Sequence, residues 1–194
     1  EQYMFSNKKG QFKYLKTQPI RIGILTIILL FMCAAVFMIG FITKGTSKNI
    51  FTVVAVLGML PVAKLIVSFI MCLKAEKNTC PKEIFDSVNE IIGNADLALG
   101  YDFYLTSYKL NFPLYSCFVY DGSLIALCAD SKTDLKACKE HIEKYLMNNS
   151  IDGIKVYILD NKNIYFDRLK SIPSDYVKTE KDLTAYALIK NLSL

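Results

Sequence analysis

Two long apolar runs open the chain, and a tighter alternation of apolar and polar positions fills the rest. Ile22 to Thr43 holds no charged residue, and Ile50 to Leu73 holds one, Lys64. Each run meets the roughly 20 residues that a helix needs to cross ~30 Å of hydrocarbon. The pattern predicts a transmembrane hairpin over 22–73, its spans 22–43 and 50–73 joined by KGTSKN. A secretory leader has an apolar stretch of only about 7–15 residues and a small-residue cleavage site. The first run is longer and lacks that site, so it is read as a retained span.

From Lys74 onward the periodicity changes repeatedly. TCPKEIFDSVNEIIGN carries an apolar stripe, Ile84, Phe85, Val88, Ile91 and Ile92, between Pro81 and Gly93-Asn94, and predicts a helix. DLALGYDFYLT alternates, which places Leu97, Leu99, Tyr101, Phe103 and Leu105 on one side of a strand. FPLYSCFVY and SLIALCA follow as strands around Asp121-Gly122, a hairpin-turn dipeptide. DSKTDLKACKEHIEKYLMNN predicts a helix capped by Asp130 or Ser131, with Leu135, Cys138, Ile142 and Leu146 inward. IKVYILD is a fourth strand, arriving after a helix and so expected to run parallel to an earlier one. A short helix with Tyr165, Leu169 and Ile172 inward follows, then a last helix opened by a capping box at Thr179 and Asp182. The order α-β-β-β-α-β-α-α implies one α/β domain over a mixed sheet, in two or three layers. The chain thus divides into a basic N-terminal arm (1–21), the hairpin (22–73) and an α/β domain (74–194).

Charge sets the orientation. Lys8, Lys9, Lys13, Lys16 and Arg21 flank the first span, and Lys74, Lys77 and Lys82 follow the second, against Lys44 and Lys48 in the connector. The positive-inside rule places both termini, and the α/β domain, in the cytoplasm. The net charge of +5 belongs to the anchor, because the chain from Lys74 onward holds 15 basic and 17 acidic residues. The basic arm suits anionic membrane lipid; the rest has no one-sided field for nucleic acid. The six cysteines form no CxxC or Cys/His cluster, so neither a zinc site nor a disulfide framework is implied, and no cofactor is expected.

Candidate chemistry is sparse. The element order resembles the core of the PD-(D/E)xK nuclease fold, and Asp130-Ser131-Lys132 supplies an acidic-x-Lys triplet at the end of the third strand. That resemblance implies metal-dependent nuclease or hydrolase chemistry at Asp130 and Lys132. Strand geometry opposes it. If Tyr120 pairs with Ser123, Asp130 falls opposite Pro113, and Asp121 lies about 20 Å or more away along the hairpin; cap is the simpler role for Asp130. His141, the one histidine, sits mid-helix without a catalytic partner nearby in sequence. Asp160 ends the fourth strand, where α/β folds place ligands or helix caps. Tyr104 and Tyr108 are among the tyrosines expected to leave one sheet face aromatic and suited to docking.

Lys64 stands about 13 Å along a helix from Leu73, with Pro61 one turn before it. An ammonium at that depth is expected to meet a protein neighbour or to snorkel. The span KNIFTVVAVLGMLPVAKLIV, set between a first span and a small α/β domain, resembles a family of two-pass bacterial membrane proteins without an assigned activity. That resemblance implies the bacterial plasma membrane. The expectation is a membrane-anchored cytosolic adaptor without catalysis, with protein partners or a homo-oligomer. Its rivals are a tethered nuclease or hydrolase, and an accessory subunit of a transporter or secretion complex contacting its neighbour through Lys64 and Pro61.

Overall fold

The computed structural model describes residues 8–93, 95–107 and 110–194. Two long helices come first, α1 (Tyr14–Lys44) and α2 (Ile50–Glu76). They are followed by α3 (Lys82–Ile92), β1 (Ala98–Thr106), β2 (Asn111–Tyr120), β3 (Ser123–Cys128), α4 (Leu135–Asn148), β4 (Lys155–Leu159), α5 (Lys162–Lys170) and α6 (Glu180–Leu192). The element order is the one that the hydrophobic pattern predicts.

The chain forms two compact units. One comprises residues 77–194 together with the N-terminal stretch through Leu15; the other is the helical hairpin, Lys16–Glu76. The hairpin is therefore an insertion into the α/β domain. The first part of the basic arm therefore belongs to the α/β unit. Residues 8–13 fold onto the domain, where the Gly10 carbonyl accepts the Tyr101 amide at 2.9 Å and the Lys9 ammonium donates to the Ser193 carbonyl at 2.7 Å.

In the α/β unit the sheet order is β1-β2-β3-β4, antiparallel except for the parallel β3–β4 pair. Asp121 and Gly122 both take positive φ, 42° and 67°, as the tight turn between β2 and β3 requires. Helices cover both faces, giving three layers. α4 and α6 close one core around Phe103, Phe112, Leu114, Val119, Leu124 and Val156; α3 and α5 close the other around Tyr101, Phe118, Ile125, Tyr165 and Leu169. Helix starts follow side-chain chemistry: α4 is capped by Asp134, α5 by Asn161, and α6 by the Thr179–Asp182 capping box.

In the hairpin unit, small residues bring the helices close. A methyl group built on Gly58 would lie 2.8 Å from Cys33 Sγ, one on Gly23 3.2 Å from the Phe69 ring, and one on Gly40 against Phe51. Positions 51, 55, 58, 62 and 69 of α2 and 23, 33 and 40 of α1 follow the alternating three-and-four spacing of an apolar seam. Asn49 closes the connector, accepting the Thr52 amide at 2.9 Å and donating to the Gly40 carbonyl at 3.0 Å. Away from the seam both helices expose large apolar side chains, including Phe31 at 70%, Ile42 at 74% and Leu60 at 68%. Both are long and apolar enough to cross a membrane.

Candidate functional site

β1 contains one acidic residue, Asp102, between Tyr101 and Phe103. A regular strand would send Tyr101, Phe103 and Leu105 to one face. Instead Asp102 adopts φ 58°, a conformation that Asp and Asn tolerate better than most residues. The strand changes face there, so Tyr101 packs with α3 and α5 while Phe103 and Leu105 pack with α4 and α6. This corrects the simple alternation expected for the strand. Across the ladder β2 has its own irregularity between Leu114 and Ser116.

The distortion places the Asp102 carboxylate in the interior, with no exposed surface. Oδ1 accepts the Cys80 amide at 2.7 Å. The amides of Lys13, Tyr14 and Leu15, at the start of α1, also bear on the carboxylate. Their hydrogen-bonding pull favours the ionised form, although Oδ2 itself completes no hydrogen bond. Lys13–Leu15 enter α1 and Cys80 lies four residues beyond the end of α2, so the two covalent connections to the hairpin converge on one buried anion.

Neighbouring groups complete a closed polar cluster. The Tyr165 hydroxyl donates to Ser116 Oγ at 2.8 Å, Ser116 donates to the Gly100 carbonyl at 3.2 Å, and Tyr101 donates to Asn89 Oδ1 at 3.1 Å. Burial pushes the Asp102 carboxyl up to about 6, against the pull of the Cys80, Lys13, Leu15 and Tyr14 amides. Burial, then the charge of Asp102, pushes the Cys80 thiol up to about 12, while Lys162 pulls it down. At neutral pH Cys80 is therefore a thiol and not a nucleophilic thiolate. Burial raises Tyr101 and Tyr165 as well. The arrangement binds backbone; it does not prepare a nucleophile.

The residues singled out in the sequence lie elsewhere. Asp130 closes a turn, its Oδ1 accepting the Lys132 amide at 2.9 Å and its carbonyl the Thr133 amide at 3.0 Å. The cap of α4 is Asp134, which accepts the Ala137 amide at 3.0 Å, and not Asp130 or Ser131. The β2 irregularity also shifts the register, so that Leu114 pairs with Cys128 and it is Ala129 whose amide reaches the Pro113 carbonyl. Asp130 thus lies one residue past the expected position. Lys132 is exposed, and among the described residues no three His, Cys, Asp or Glu side chains gather as metal ligands do.

Asp160 is exposed just beyond β4, and the cap role there falls to Asn161, which accepts the Asn163 amide at 2.9 Å. Tyr104 is buried at 5% exposure, its amide donating to Ser193 Oγ, so it offers no docking face. Tyr108 lies outside the described residues. His141 packs on Phe112, and burial, then Lys144, lowers its pKa. Pro61 and Lys64 lie on the exposed surface of α2, in the other unit.

Asp102 escaped the sequence reading, although one signal marks it. It is the single charged residue in a nine-residue strand, of a type disfavoured in strands and tolerant of positive φ. No protein family, curated protein or solved structure matches this chain.

Proposed function

We propose that this protein is a membrane-anchored interaction module without catalysis of its own. In this reading α1 and α2 cross a bilayer as a hairpin, and the α/β domain stands on the cytoplasmic side, where the positive-inside rule puts the Lys-rich and Arg-containing flanks. Lys8, Lys9, Lys13 and Lys16 also favour an anionic lipid surface. The wide apolar exposure of both helices supports a lipid setting, because a helix from a soluble core hides such side chains.

The convergence at Asp102 carries the adaptor reading. A passive tether needs one flexible connection. Here the entrance to α1 and the exit from α2 are both fixed to the same buried carboxylate, so the domain is joined to the hairpin at two points beside a single residue. Two fixed attachment points are more than a passive tether uses, and they suit a domain that works within a larger membrane assembly.

The test uses the full chain in its own membrane. It should resist carbonate extraction, and protease added to the cytoplasmic face should reach the α/β domain. In mild detergent, light scattering should return a mass above that of one chain plus detergent, with a stoichiometric companion. Release by carbonate refutes the anchor, and a single chain with no companion refutes the adaptor role.

A further inference from the structure

The outward face of α2 holds one charged side chain, Lys64, with Ser68 one turn beyond it, in an otherwise apolar strip. Leu57, Pro61 and Lys64 follow one another at four and three residues and share a face. Leu57 is 59% exposed, Leu60 68% and Val67 62%, and Lys64 is exposed among them. The seam with α1 runs through Ala55, Gly58, Val62 and Phe69. Lys64 is two residues, about 200° of helical turn, from Val62, so α1 does not reach it. Lys64 makes no hydrogen bond or ion pair with any described residue, which sets it apart from Asn49 and Thr26, whose polar atoms bond within the hairpin.

Depth and direction oppose snorkelling. Lys64 is about 21 Å along the helix from Ile50 and about 13 Å from Leu73, near the centre of the apolar stretch. Helical side chains lean toward the N-terminus of their helix. Lys64 therefore leans toward the Ile50 end, the more distant boundary, and away from the nearer one. Pro61 adds a second polar demand on this face, since it has no N–H to offer the Leu57 carbonyl.

We propose that this face of α2 docks a transmembrane helix of another protein that carries a carboxylate at mid-bilayer depth. The inference rests on the membrane reading above and names the partner's chemistry. Charge complementarity selects the occupant. A lone ammonium in hydrocarbon is costly, and an acidic side chain is the group that both pairs with it and accepts its hydrogen bonds. A second copy of this chain brings no such group, because its spans contain no Asp or Glu and place another Lys64 at the same depth. The bare strip of Leu57, Leu60 and Val67 supplies the flat apolar bed for that helix, and the Leu57 carbonyl a further acceptor.

The test uses the intact, fluorescently labelled protein in phosphatidylcholine vesicles, with synthetic poly-leucine transmembrane peptides carrying Glu, Leu or Lys at the central position. Energy transfer should show the Glu peptide binding about tenfold tighter than the Leu or Lys peptides, the ratio expected of one polar contact between helices. Lys64→Leu should abolish the difference and Lys64→Arg should keep it. Equal binding of the Glu and Leu peptides by the unaltered protein overturns the proposal, as does a preference that survives Lys64→Leu or vanishes when phosphatidylglycerol supplies a competing phosphate. Co-flotation with the vesicles and resistance to carbonate extraction report insertion separately. An inserted protein that ignores the Glu peptide therefore refutes the docking face alone, and one that does not float refutes the anchor.

Discussion

Replacing Asp102 by Asn should change how stability depends on pH more than it changes stability itself. The carboxyl ionises near 6 in the folded domain, against an ordinary 3.8, because burial outweighs the Cys80, Lys13, Leu15 and Tyr14 amides. A carboxyl raised by folding contributes stability that is fully present below about pH 4 and is lost as pH rises through about 6. A gap of about two pKa units corresponds to roughly 3 kcal/mol. Asn keeps the shape, accepts φ 58° and retains an oxygen for the Cys80 amide, yet it does not titrate. Urea unfolding of the full chain in detergent, followed by tyrosine near-ultraviolet circular dichroism, should show the original chain losing about 2 kcal/mol between pH 4.5 and 7.5 relative to Asp102→Asn, the rest of the gap falling below that window. His141, lowered by burial, acts with the opposite sign, but it is common to both proteins and cancels in the difference. Parallel pH profiles for the two chains would refute the assignment of Asp102 as the buried titrating group. Asp102→Ala should in addition lose about 1–3 kcal/mol at every pH, since it leaves the Cys80 amide without an acceptor.

Asp182 should behave in the reverse sense. Burial pulls its carboxyl up, but donors from Tyr176, Thr179 and Gly122 outweigh it and hold it below the ordinary value. Its contribution is thus present above about pH 4 and lost as pH falls through the depressed value. Asp182→Asn should cost about 1–3 kcal/mol at pH 7, and the gap should narrow in acid unfolding series. Gly100→Ala would set a methyl against the Tyr186 hydroxyl and 2.8 Å from the Phe103 ring. It should destabilise by about 1–3 kcal/mol in the same urea assay, with Tyr186→Phe in the same chain recovering part. Gly58→Val should push the hairpin seam apart at Cys33 and lower the thermal midpoint of the helices in detergent, with Cys33→Ala recovering part.

Much of this architecture is legible from local patterns. The two apolar runs, the Asp121-Gly122 turn, the capping box at Thr179 and the order of elements follow from periodicity and turn chemistry, and each appears in place. The departures come from long-range contacts. The face change at Asp102 leaves no trace in the alternation of Leu99, Tyr101, Phe103 and Leu105, because it is sustained by amides from residues 13–15 and 80. Residues 8–13 looked like a charged arm, since the partner for Gly10 lies at Tyr101, across the whole hairpin. Asp134, rather than Asp130 or Ser131, caps α4 because Asp130 is taken up by the Lys132 amide one turn earlier. Lys64 was visible as an anomaly, but the identity of the face it occupies depends on which positions of α2 meet α1.

The insertion of the hairpin between Leu15 and Lys77 bears on how a soluble form must be made. Trimming the chain to begin at Lys77 removes more than an anchor. It removes the Gly10 carbonyl that accepts the Tyr101 amide at the rim of β1, takes the amides of residues 13–15 away from Asp102, and bares the edge of β1 at that point. Since Leu15 and Cys80 both bear on the same carboxylate, their backbones lie near one another, and a few flexible residues suffice to splice residue 15 to residue 78. The excised hairpin would leave a continuous, correctly edged domain. The same nesting bears on folding: Lys9 and Ser193 meet across 184 positions of sequence, so closing the domain is a long-range step that must wait until the whole hairpin has been made.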